Sequence, residues 1–363
     1  MKFKHETIIN LLNTPSVGRN RVRILLSSIG VHDDPFEMDS KILCKIDGID
    51  IKTTSAIKKY RHLKYGETQL KQLAEKNINI VSYWDDNYPV LLKKIYDPPV
   101  LLYTHGKELT KTEDMISIVG TRTMTQYGRT MTKLIVKKLT EVGITTVSGL
   151  ARGIDTMTHR ETVNLGGKTI GVLGCGIDVV YPSENKQLYR DILKNGTIIS
   201  EFPLGEKPNR KNFPQRNRII SGLSHGTIVV EAGDRSGSIL TAFNAIDHNR
   251  DVFAVPGRVT DAMSVGSNRL IRNGAFPVHD GNEILDIIND RLFRPISGVQ
   301  KKIPLELSND EQNIFKFLGH DPIQIDDLRK KVDLDIAQLL QILLNLEMKN
   351  AVTQLSGKQF VIS

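Results

Sequence analysis

ISIVGTR (residues 116–122), TTVSGLARGID (145–155) and TIVVEAGDRSGS (227–238) share one plan: a short β-branched run breaks into a glycine turn that carries an arginine. A buried strand that ends in glycines and opens a helix leaves free N–H groups at the positive end of the helix dipole, where phosphates settle. Three such turns imply a long polyanion. To either side the plan continues. Apolar runs near 78–82, 100–103, 116–119, 144–148, 169–173, 197–200, 227–231 and 251–255 alternate with helical periodicity. In Tyr127–Val142, for instance, Met131, Leu134, Ile135, Lys138 and Leu139 make a mostly apolar stripe. Such alternation predicts an α/β fold, a doubly wound parallel sheet covered by helices on both faces.

The flanks read differently, and four segments result: 1–65, 70–293, 294–307 and 308–363. Residues 1–65 carry a helical pattern with turn signals, and twelve Lys/Arg against seven Asp/Glu. Residues 294–307 lose periodicity and gain Pro, Gly and Lys, as a linker does. Beyond it, Ser308 and Glu311 form an S-x-x-E capping box, and Asp326 and Asp335 stand where two further helices need N-caps. The last residues alternate around Ser356-Gly357, which predicts a hairpin. Three helices and a terminal hairpin describe a winged helix.

Composition narrows the function classes. A chain of 363 residues exceeds one ordinary core, and its net charge of +8 favours acidic partners such as nucleic acid. The two cysteines, Cys44 and Cys175, make no CxxC pair and the nine histidines no HExxH, so neither a disulfide framework nor a metal site is indicated. No apolar run approaches the ~20 residues that cross a bilayer, and MKFKHETIINLL is no secretion signal. A cytoplasmic protein with no membrane partner is expected.

Two nucleotide sites fail on spacing. Gly174-Cys175-Gly176 follows a strand, but Val179 stands where a dinucleotide fingerprint needs its last Gly or Ala. Gly167-Lys168-Thr169 mimics the end of a phosphate loop, yet Thr162 holds the place of its first glycine and a strand follows instead of a helix. No cofactor is expected. The alternative is a nucleic-acid backbone held by Gly120, Thr121 and Arg122, by Ser148, Gly149, Arg152 and Gly153 one strand along, and by Ser236, Gly237 and Ser238. NFPQRNRIISGLS (212–224) is the densest candidate: Arg216, Asn217 and Arg218 open a predicted helix just after Arg210 and Lys211. Cations at a helix N-terminus oppose the dipole, so a bound anion explains them better than stability does. Phe213 stacks on a base in one reading and staples onto Ile219 or Ile220 in the other.

At these residues the chain resembles the DNA-processing protein A family (DprA, also called Smf). The resemblance runs through SIVGTR, SGLARGIDTMTHR, GGKTIGVLGCGIDVVYPSENK, SEFPLGEKP, NFPQRNRIISGLS, EAGDRSGSILTA, VFAVPGR and SNRLIRNGA. It implies an extended Rossmann-like domain that binds single-stranded DNA, forms a homodimer and loads RecA recombinase during natural transformation, without catalytic turnover. It also implies phosphate contacts at Arg122 and at Arg210 or Lys211, with Phe213 beside the strand, and a dimer contact in SNRLIRNGAFP, where Leu270 and Ile271 are the apolar candidates. Many relatives carry lysine where Ser183 stands; Lys186, one helical turn on, is its replacement. The N-terminal segment resembles either a helix-hairpin-helix, around IDGIDIKTTSAI (46–57), or a sterile-alpha-motif bundle, and the last segment the family's winged helix. A more distant resemblance, to nucleotide phosphoribohydrolases of the lysine-decarboxylase-like group, implies an enzyme instead. Their PGGxGTxxE turn supplies a catalytic glutamate, whose place Thr241 occupies here, leaving Glu231, Asp155 and His159 as titratable groups.

Overall fold

Strands form where the β-branched residues cluster: β1 (Asn79–Ser82), β2 (Leu101–Gly106), β3 (Met115–Val119), β4 (Thr145–Ser148), β5 (Thr169–Leu173), β6 (Thr197–Ser200), β7 (Gly226–Val229), β8 (Asp251–Ala254) and β9 (Phe276–Pro277). They make one nine-stranded sheet, in the order β1-β2-β6-β5-β4-β3-β7-β8-β9. The computed structural model describes residues 3–61, 64–110, 114–293, 308–319, 323–332, 334–349, 351–355 and 359–362. Two units emerge, Met1–Phe293 and Arg294–Ser363. The linker expected over 294–307 and the Ser356-Gly357 turn lie outside the described residues.

From β6 to β9 every neighbour is parallel, whereas β1 and β2 run antiparallel at the far edge. The doubly wound parallel sheet expected from the sequence is present, extended at one edge by two antiparallel strands. Between β1 and β2 the chain forms only α6 (Val90–Lys93), one turn of helix, and lacks the full crossover helix that usually brings a parallel strand back. The chain leaves β3 through β4, β5 and β6 on one side, then returns to place β7 against the other side of β3, with Ile116 level with both Thr146 and Gly226. The turns after β3, β4 and β7 thus emerge together at the point where the winding reverses, which is where open α/β sheets bind ligands.

Helices cover both faces. On one, α10 (Asn212–Leu223), α11 (Gly237–Asp247) and α12 (Val265–Arg272) bury Ile219, Ile220, Leu223, Ile239, Ala242 and Leu270. On the other, α7 (Gln126–Glu141), α8 (Ile154–Asn164) and α13 (Gly281–Phe293) bury Met131, Ile135, Val136, Leu139, Ile154 and Ile284. Leu134, placed in the inward stripe on sequence grounds, is 50% exposed, because the buried face of α7 runs instead through Thr132 and Val136. α9 (Lys186–Asn195) packs against the sheet beside α8.

Five helices precede β1 among the described residues: α1 (His5–Asn13), α2 (Arg19–Ser28), α3 (Ser40–Leu43), α4 (Ile51–Lys59) and α5 (Tyr65–Glu75). They share an apolar cluster with Val100, Leu101, Tyr103, Ile198 and Leu204 and fall within the first unit. Asp50 caps α4, accepting from the Thr53 N–H at 2.7 Å. In the second unit α14 (Asn309–Phe315), α15 (Ile325–Arg329) and α16 (Ile336–Met348) pack on β10 (Ile323–Gln324), β11 (Val352–Leu355) and β12 (Gln359–Ile362) around Leu328, Leu339, Leu343 and Phe360. The Ser308–Glu311 capping box is present, and Asp335 caps α16. Asp326 is not a cap; α15 starts one residue before it, and its carboxylate sits in the first turn, where it also favours the dipole. Among the described residues no helix is long and apolar enough to cross a membrane.

Candidate functional site

The glycine turns meet because glycine lets them. Gly153, the N-cap of α8, has φ +74°, and a Cβ there would strike the Thr121 carbonyl and the Arg122 backbone. The two turns touch directly, and the Ile154 N–H donates to the Thr121 carbonyl at 3.2 Å. Above them opens a cleft of about 780 Å³, lined among others by Gly120, Thr121, Arg122, Tyr181, Arg210, Phe213, Asn217, Arg235, Ser236, Gly237, Ser238 and Thr241. The N-terminal turn of α11, capped by Ser236, forms one wall.

The side chains around this cleft suit an extended anion with flat groups attached. Arg122, Arg210 and Arg235 are exposed. The Arg122 guanidinium lies 5.7 Å from the centre of the Phe213 ring, and the Tyr181 ring stands 5.8 Å from that of Phe213, the two tilted by 37°. Half-buried Phe213 and exposed Tyr181 line the same cleft as these cations. Arg235 and Tyr181 were not singled out as site residues from the sequence, although both lie inside quoted motifs, EAGDRSGS and VVYPSENK.

Other expected contacts serve the protein itself. α10 begins at Asn212, four residues ahead of the expected start, because Pro214 is tolerated in a first turn where its missing N–H is no loss. Arg216 and Arg218 consequently sit in its second turn, both buried. Arg216 donates to the Gly149 carbonyl at 2.5 Å and to that of Val172, filling the space a Cβ on Gly149 would take. Arg218 donates to both oxygens of Glu201 at 2.6 Å. Neither guanidinium is free for a phosphate, which corrects the expectation for both. Ser148 is buried and donates to the Ile118 carbonyl at 2.6 Å, so it holds turns together, whereas Gly149 lines a smaller pocket with Arg122, Arg152, Tyr181 and Phe213. Arg152 is exposed but engaged by Glu184. Lys186 and Lys211 are exposed and do not line the cleft. Leu270 is 3% exposed in its own core, and Ile271 is partly buried against that core.

The titratable groups are internal too. Glu231, 2% exposed, accepts from the N–H and hydroxyl of Thr125 and so anchors the start of α7. Asp155 accepts from the Gly149 N–H at 3.1 Å, and burial pushes its carboxyl up to about 6. Burial likewise lowers the Arg216 guanidinium to about 10. His159 bonds Thr169 through Nδ1 at 2.7 Å, and burial drops its imidazole to about 3. Thr241 lines the cleft with no carboxylate. Among the described residues no group of three His, Cys, Asp or Glu side chains is placed to hold a metal.

Comparison with known proteins agrees with this geometry. Residues 79–289 match the family model of the DNA recombination-mediator protein A, and residues 300–358 that of the DprA winged helix domain. The chain is 41% identical over 218 residues to the DNA processing protein DprA of Bacillus subtilis, covering 60% of this chain and 73% of that one. It is 32% identical over 296 residues to the protein Smf of Escherichia coli, covering 80% and 79%. Among solved structures, DNA processing protein A of Streptococcus pneumoniae superposes with a TM-score of 0.70 at 35% identity, covering 79% of this chain and 98% of that one. DNA processing protein A of Helicobacter pylori, described with a single-stranded DNA binding mode, gives 0.52 at 30% identity, covering 59% and 95%.

Proposed function

Because this chain belongs to the DNA recombination-mediator protein A family, we propose that its cleft binds single-stranded DNA by the backbone, and that the protein hands the strand to RecA recombinase during DNA uptake, natural transformation and recombination. One observation carries the reading: exposed Arg122, Arg210 and Arg235 line one cleft together with a helix N-terminus and the Tyr181–Phe213 pair. Cations and amides suit phosphates, and stacked aromatics suit unpaired bases without regard to sequence. Gly120, Thr121, Asn217, Ser236, Gly237 and Ser238 complete the lining.

Binding is favoured over bond breaking. Thr241 lacks the carboxylate a glycosidic cleavage needs, and Glu231, Asp155 and His159 are each committed to internal partners. We further propose a homodimer in the cytoplasm. Leu270 has no free surface for it, whereas Leu240, Phe243 and Ile246 of α11 are 49%, 45% and 55% exposed.

Fluorescence anisotropy with oligothymidine and with a duplex of equal length, across a salt series, tests the reading. Single strands are expected to bind more tightly. Arg122→Ala is expected to weaken binding and to reduce the salt slope by about one contact, with little change in thermal stability because the side chain is exposed. Equal affinity for duplex, or an unaltered slope, would count against the assignment.

A further inference from the structure

α10 presents two opposite faces. Phe213 and Asn217, four residues apart, point into the cleft. Gln215 meets Arg19, the first residue of α2, and Arg218, three residues on, shares its acidic partners Asp97 and Glu201. Arg19 Nε lies 2.8 Å from Asp97 Oδ2, and its Nη1 lies 3.4 Å from Glu201 Oε2 and donates to Gln215 Oε1 at 3.3 Å. Arg218 closes the ring through Glu201 at 2.6 Å and Asp97 at 3.4 Å. Two cations and two anions balance in a largely buried setting, where such pairs hold only with good geometry.

Beside Gln215 this end of α10 has open space. A second cavity, of about 400 Å³, lies against Arg19, Glu201 and Gln215, walled by Ile9, Tyr65 and Phe202 among others. The body of α10 is held by packing through Ile219, Ile220 and Leu223, while on this side its first turn is met by the Arg19–Gln215 hydrogen bond. From this juxtaposition we propose that Arg19 is a positioning residue: it latches α10 from outside the cleft and so sets where Phe213 stands. The N-terminal helical layer thereby tunes single-strand binding without touching the strand. This rests on the DNA-binding reading for its effect on affinity, but not for its effect on the helix.

The test uses the full chain with Arg19→Ala, Arg19→Lys, Gln215→Ala and, as a contrast, Arg122→Ala. Hydrogen exchange over α10 and α7 is measured without DNA, and oligothymidine anisotropy across salt with it. Arg19→Ala is expected to speed exchange in α10 and not in α7, and to weaken binding roughly two- to thirtyfold with the salt slope intact. Arg122→Ala should do the reverse, lowering the slope and leaving α10 exchange alone. Arg19→Lys, which keeps a charge but not the fork, should fall between, and Gln215→Ala should reproduce a weaker version if Arg19→Ala does not fold. Unchanged α10 exchange, equal loosening of both helices, or a reduced slope in Arg19→Ala would overturn the proposal. Failure of the unmodified protein to bind oligothymidine would sink the DNA reading alone, since the exchange arm still decides the latch.

Discussion

Arg210, Arg216 and Arg218 sit within one short stretch and do three different things: one faces the cleft, one pins two strand ends, and one closes an ion ring. The sequence marks all three as cations in a dense motif, but not their directions, because at 100° per residue a start moved by four positions changes which turn each one occupies. Arg122 and Phe213 were legible, since the turn or motif that carries each fixes its place. Arg216 is the informative case. Its replacement by Ala would leave the Gly149 and Val172 carbonyls without their donor and Asp155 without a nearby cation. A loss of about 3–5 kcal/mol is expected in chemical denaturation, against almost none for Arg122→Ala; equal effects would mean that Arg216 is not the strut. His159 makes a separate demand. Its folded imidazole titrates near 3 and the unfolded one near 6.5, so as pH falls from about 6.5 the unfolded chain takes up a proton that the native state refuses. Stability should therefore decline on acidification through that window, and His159→Gln should remove up to about 1.4 kcal/mol per pH unit of the decline. His248, lowered to about 4, adds to the same trend, while Asp155, raised to about 6, opposes it between about 6 and 3.8. Urea midpoints at pH 7 and pH 5 for both proteins check this.

At the level of elements, the strands were readable because buried parallel strands are continuous β-branched runs, and eight of the nine in the sheet were placed. β9, two residues long, has no periodicity to read, and the antiparallel pairing of β1 and β2 depends on a connection whose path local sequence does not encode. α16 is the third helix of the winged helix, and its two faces differ. Leu339, Leu343 and Leu346 fill the core, and Ile336, Leu340 and Leu344, at 41%, 40% and 57% exposure, face outward in place of the cations that read a groove. Lys349, at its end, is held by Glu311 at 2.7 Å. An isolated fragment spanning 305–363 should accordingly give no duplex shift in a gel at low salt, and a retarded band would assign the helix to DNA after all.

For the whole molecule, the net charge of +8 matters less than where the free cations gather, at the winding reversal between β3 and β7. The proposed dimer makes its own prediction: Phe243→Glu should halve the sedimenting mass, with the cleft and its DNA affinity per protomer nearly intact. A dimer that survives this change must use another face. The two outer strands of the sheet bear on a different hazard. A protein gathered in many copies along one polymer is concentrated locally, and open β-edges under such crowding invite strand-to-strand joining and insoluble stacks. β9 closes that route on its side, being two residues long with Pro277, which has no N–H to donate, as one of them. On that edge the sheet therefore offers a neighbouring copy almost no ladder to extend.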